Sequence, residues 1–112
     1  MWRQTLATSK EGGLMSGNYL DLNKRSVRES VVSKLQALGY TVSADSSTTL
    51  IFKIQNIIKE IQRNNGLMID GVIGVRTMPV LGYSLEETKK MLKIHSYKNI
   101  SFYDYHILLL WS

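Results

Sequence analysis

The sequence predicts an all-α protein, a small three-helix bundle with a fourth helix and an extension at each end. Two observations predict it. Apolar residues recur every three or four positions in two stretches, Val27 to Leu38 and Leu50 to Ile61, which places them on one face of a helix rather than one face of a strand. Helix punctuation brackets those stretches. Ser26-Val-Arg-Glu29 and Ser84-Leu-Glu-Glu87 have the form of capping boxes, and Gly39 and Asn65-Gly66 stand where helices stop.

Taken in order, residues 1–25 scatter Trp2, Leu6, Leu14, Met15, Tyr19, Leu20 and Leu22 among polar residues and glycines with no sustained period, and read as an irregular N-terminal arm. The first helix starts from Ser26, carries Val27, Val31, Leu35 and Leu38 as one stripe, and ends at Gly39. A polar connection follows, with Ser46 or Ser47 placed to cap the second helix. That helix repeats Leu50, Ile51, Ile54, Ile57, Ile58 and Ile61 up to the Asn65-Gly66 stop. β-Branching lowers the helix propensity of its isoleucines, but the spacing is helical and burial decides for helix. After an Asp70-Gly71 turn, a short third helix is expected over Val75 to Leu81, with Pro79 near its first turn, where a missing N–H costs little. Gly82-Tyr83 breaks it. The Ser84 capping box then opens a fourth helix to about Ile94, with Leu85, Thr88 and Leu92 on one face and Lys89, Lys90 and Lys93 suited to the C-terminal end of its dipole.

Residues 95–112 hold Tyr97, Ile100, Phe102, Tyr103, Tyr105 and the run Ile107 to Trp111, more large apolar groups than an exposed tail would keep. Strand and helix both remain open for this segment. Ser101 to Asp104 suits a helix cap, and Ile100-Ser-Phe102 suits the start of an alternating strand. Phe102, Tyr105, Leu109 and Trp111 are its candidate anchors for a protein partner, because large aromatic and aliphatic groups concentrate at interface centres.

Composition narrows the classes. The chain has 112 residues, 44% hydrophobic and 21% charged, which suits one domain with flanking segments. Its longest apolar run is far short of the roughly 20 residues that span a bilayer. The N-terminus lacks the apolar core of a secretory signal, so a role at the cell envelope implies arrival by lysis, by injection or on a larger particle. Cysteine is absent, which removes disulfides, thiol nucleophiles and Cys-based zinc sites together. A net charge of +5, spread evenly along the chain, favours polyanions without choosing among them.

Catalysis is not expected. His95 and His106 are the only histidines and have no His-Glu-x-x-His arrangement. A glycosidase needs two placed carboxylates; Glu29 and Glu87 read as cap residues, and Glu60 as a polar helix position beside Lys59. No phosphate-binding glycine loop is present, and no cofactor or metal is implied.

The stretch Ile61-Gln62, Asn65-Gly66-Leu67, Asp70-Gly71-Val72-Ile73-Gly74, Thr77 and Leu81 resembles the bacterial peptidoglycan-binding domain of the small three-helix type. The likeness is strong over Leu50 to Leu81, continues in Leu35-Gln36-x-Leu38-Gly39-Tyr40, and is absent outside about 26–94. It departs in Ser43 to Thr49, which has no glycine where many members carry an Asp-Gly-x-Gly turn. The resemblance implies a helical domain over 26–94 with a shallow groove for the glycan-peptide polymer, acting as a non-catalytic tether. On this reading Gln62, Gly66, Asp70, Gly71, Gly74 and Thr77 build the motif: the glycines supply backbone angles, Asp70 binds loop N–H groups, and Gln62 ties the loop to the second helix. Ligand contact falls to residues the fold does not require, namely Tyr40 and Tyr83 as sugar-stacking surfaces, Asn65 as an amide and Arg76 as a cation for peptide carboxylates.

Three function classes follow. The chain is expected to be a peptidoglycan-recognition module carried in a larger assembly such as a bacteriophage tail or baseplate; the alternative is a purely structural subunit of such an assembly that has lost glycan binding. A basic helical nucleic-acid binder is the weakest, because its third helix would present only Arg76 among apolar residues.

Overall fold

The computed structural model describes residues 19–93 and a C-terminal helix over Phe102–Trp111. The protein is all-α. Its helices are α1 (Arg25–Ala37), α2 (Ser47–Asn64), α3 (Leu85–Met91) and α4 (Phe102–Trp111), with a 3-10 turn at Pro79–Leu81. Within these residues no helix is long and apolar enough to cross a membrane. The core gathers Val31 and Leu35 from α1, Ile54, Ile58 and Ile61 from α2, Ile73, Val75, Met78 and Leu81 from the connection, and Tyr83 and Leu92 around α3. α1 and α2 contribute residues three or four apart, as the apolar spacing requires.

Three chain reversals share one device. At the ends of α1, α2 and the 3-10 turn, glycines 39, 66 and 82 adopt positive φ, which costs a side-chain-free residue nothing. Each is followed by a residue whose N–H reaches back five positions: Tyr40 to Leu35 O at 3.0 Å, Leu67 to Gln62 O at 2.9 Å and Tyr83 to Met78 O at 3.1 Å. The glycine N–H groups close the inner bonds to Gln36, Arg63 and Pro79 carbonyls. These are Schellman stops, and they pull Tyr40, Leu67 and Tyr83 back toward the bundle. The end of α3 has no glycine; there Lys93 takes φ 56° itself.

Helix starts are less uniform. Ser46 caps α2 by accepting from Thr49 N, and at α3 both halves of the Ser84–Glu87 capping box are formed, at 3.1 and 2.8 Å. The Ser26–Glu29 box is not formed. α1 begins two residues earlier, from Lys24 with no side-chain cap, and Glu29 instead meets Arg25 one turn back at 3.7 Å. The chain enters α1 through an Asp21 turn, in which Asp21 Oδ1 accepts from Asn23 N, while Arg28 donates to the carbonyls of Leu22 and Asn23.

Three further expectations are corrected, and one alternative left open by the sequence is decided. Residues 19–24 belong to the domain, not to an arm: Leu20 and Leu22 are buried, Leu20 N donates to Ile73 O at 2.9 Å, and Tyr19 pairs with Gly74 in an antiparallel bridge. The arm's remaining residues, 1–18, lie outside the described ones. Leu38 faces solvent at 48% exposure because α1 has already ended. The helix expected over Val75 to Leu81 is a turn followed by the 3-10 segment. Gly74 O accepts from Met78 N, but Pro79 has no N–H to continue the ladder to Val75 O. At the C-terminus, Phe102 to Trp111 is helix, and half-buried Trp111 packs on this chain's own core rather than serving only a partner. Leu109 is 48% exposed, and the side chains of Phe102 and Tyr105 lie outside the described set.

The Glu87 carboxylate is held below its ordinary value, chiefly by the Ser84 backbone N–H, with desolvation opposing and Lys34 assisting. A depressed folded-state value means that the stabilisation is present above the unfolded value and is lost as pH falls through the folded one. Wild type should therefore lose stability on acidification through this range more steeply than Glu87→Gln, as thermal melts between pH 7 and pH 3 will show. Equal acid limbs would mean that the cap carries no pH dependence.

Candidate functional site

The centre of the motif is one buried amide. Gln62 lies on the core side of the last turn of α2 and is 1% exposed. Its Oε1 accepts from Asp70 N at 3.1 Å and Gly71 N at 3.0 Å. Its Nε2 faces three acceptors, Asp70 Oδ1 at 3.0 Å, Val72 O at 3.0 Å and Thr77 Oγ1 at 3.1 Å. Two backbone donors on one side and three acceptors on the other fix which end of the amide is oxygen. Asp70 completes the frame by accepting from Val72 N at 2.9 Å.

Gln62 thus fastens the Asp70-Gly71 turn, Val72 and the buried Thr77 to α2 with side-chain bonds. An amide committed this fully has nothing left for a ligand; its role is to hold the loop's shape. Gly71 takes φ 73° and sits so close to α2 that a Cβ there would lie 3.2 Å from Lys59 Cε and 3.7 Å from Gln55 Cβ. Gly74 is not left-handed; its carbonyl starts the following turn, and its backbone pairs with Tyr19. Ile73 enters the core, while Leu67 and Val72 are half-buried.

The candidate contact residues fare differently. Tyr83 is 3% exposed, its hydroxyl within 2.7 Å of Ser30 Oγ and its ring 4.9 Å below Lys34 Nζ. A ring so enclosed offers no face to a sugar, so this expectation is corrected. Burial pushes its hydroxyl above the ordinary value, the Ser30 hydrogen bond pulls it back, and Glu87 pushes it up again. Tyr40 is half-buried against the core, and Arg76 is half-buried in the turn after Gly74. Asn65 is exposed, with Nδ2 donating to Ile61 O at 2.8 Å.

Ser30 and Lys34 went unread in the sequence, although their i, i+4 spacing puts them on one face of α1. Lys34 donates to Gly82 O at 3.2 Å and lies 3.6 Å from Glu87, so it joins α1, the Gly82 stop and α3. Phe52 also went unread. It falls outside the isoleucine stripe of α2 and is 63% exposed.

The loop before α2, where the sequence departs from the family pattern, forms a shallow polar depression of about 300 Å³ lined by Ser43, Ala44, Asp45, Thr49 and Lys53, with Lys53 Nζ donating to Ser43 O at 2.8 Å. Among the described residues no group of three or more His, Cys, Asp or Glu side chains is placed to hold a metal ion. No protein-family model, no curated protein and no solved structure matches the chain.

Proposed function

We propose that this protein is a non-catalytic peptidoglycan-binding module, carried as a subunit of a larger assembly such as a bacteriophage tail or baseplate. The observation that supports it most is the Gln62 frame. The residues that carry the resemblance, Gln62, Asp70, Gly71 and Thr77, are not scattered over the molecule but joined in one hydrogen-bonded unit around the buried Gln62 amide at the end of α2. That is expected when a sequence pattern encodes a loop of defined shape. Recognition then falls to side chains outside the frame, of which Asn65, Arg76 and the outer edge of Tyr40 are the candidates read from the sequence. Leu110, 85% exposed on α4, supports a protein partner at the C-terminal end.

The test is co-sedimentation of the full chain with purified sacculi, with cellulose as an unrelated insoluble polysaccharide. Selective recovery with sacculi is the expected result. Equal recovery on both would reduce the reading to nonspecific adhesion.

A further inference from the structure

We propose that the solvent face of α2, along the line Phe52, Asn56, Lys59 and Arg63, is the surface on which an anionic wall glycan docks. This rests on the peptidoglycan reading above and names its contact face. The four residues follow one another at spacings of four, three and four, which aligns them over about 16 Å on the side of α2 away from Ile54, Ile58 and Ile61. All four are exposed.

Three observations mark this face. Phe52 puts a ring into water on a helix whose isoleucines already fill the core. The Gly71 turn lies against Gln55 and Lys59, so the loop carrying exposed Met68 and Ile69 runs beside this part of α2. The charge is also one-sided: α2 carries Lys53, Lys59 and Arg63 against Glu60 alone. Lys53 is turned to the Ser43 carbonyl, whereas neither Lys59 nor Arg63 forms an ion pair among the described residues.

An aromatic ring, an amide and two cations in a line complement a polymer of sugar rings that bears acetamido groups and carboxylates. The ring stacks on a sugar face, Asn56 meets an acetamido group, and Lys59 and Arg63 meet carboxylates. A convex helix face has no pocket for a single side chain, which suits an extended strand.

The experiment measures binding of the full chain to sacculi for wild type, Phe52→Ala, Phe52→Tyr and the double variant Lys59→Gln/Arg63→Gln, with poly-glutamate beads as a sugar-free polyanion. Phe52→Ala and the double variant should each bind about fivefold or more weakly at an unchanged melting temperature. Phe52→Tyr should bind as wild type, and the double variant should lose most of the salt dependence. Unchanged affinity in Phe52→Ala and the double variant, with wild type binding, overturns this surface and leaves the peptidoglycan reading intact. Absence of wild-type binding overturns both. Equal wild-type binding to poly-glutamate, or loss of binding in Phe52→Tyr, overturns a sugar ring as the partner of Phe52.

Discussion

Replacing Gln62 by leucine is expected to destabilise the fold by about 3–4 kcal/mol, because leucine fills the space but leaves the Asp70 and Gly71 amides without their acceptor. For a domain of this size that corresponds to a fall in melting temperature of about 12–30 °C. Gln62→Glu separates shape from hydrogen bonding. Its carboxylate keeps the two amide donors but turns an acceptor toward Asp70 Oδ1, Val72 O and Thr77 Oγ1, where glutamine donates. The buried acid then favours its protonated form, so this variant should melt higher at pH 4 than at pH 7. A Gln62→Leu variant that melts within a degree or two of wild type would show that solvent enters the loop and replaces the frame.

Gly71→Val is expected to cost about 3 kcal/mol. The residue holds φ 73°, a region that excludes β-branched side chains far more strongly than others. The new Cβ would also press on the Lys59 stem from 3.2 Å. The flexible end of Lys59 can yield, so backbone strain carries most of the loss. Gly71→Asn should therefore lose less than half as much, since asparagine tolerates left-handed backbone. Equal melting temperatures for the two variants would transfer the cause from the dihedral to the contact.

These two sites show why some of the fold was legible in the sequence and some was not. The stops at Gly39, Asn65-Gly66 and Gly82 were readable because a Schellman ending is local: the glycine and the bonds that close it lie within six residues. The Ser84 box was readable for the same reason. Ser26-x-x-Glu29 has identical spelling, yet the chain enters α1 through Asp21 and Arg28, whose long side chain reaches carbonyls that no helix pattern records. Pro79 was placed correctly but its effect was underestimated, since what it removes is a bond to a carbonyl four residues earlier.

Burial was the least legible property. Tyr40 and Tyr83 occupy equivalent places after a glycine stop, and only the partners on α1, Ser30 and Lys34, enclose the second of them. Leu20 and Leu22 alternate as a strand would over too few residues to register as a period. Phe52 escaped notice in the opposite sense, since a phenylalanine among isoleucines reads as core until the helical angle is counted.

The Tyr19–Gly74 bridge and the Leu20 to Ile73 hydrogen bond join the first described residues to the loop after α2, more than fifty positions along the chain, whereas the helix stops close within a turn. Closing so long a loop costs chain entropy before any contact rewards it. Leu20 and Leu22 gain their places across this long loop, so their docking carries a closure cost that the helix stops do not. Release of that segment would take Leu20 and Leu22 out of the core while leaving every Schellman stop closed, since none of the bonds that close those stops involves residues 19–22.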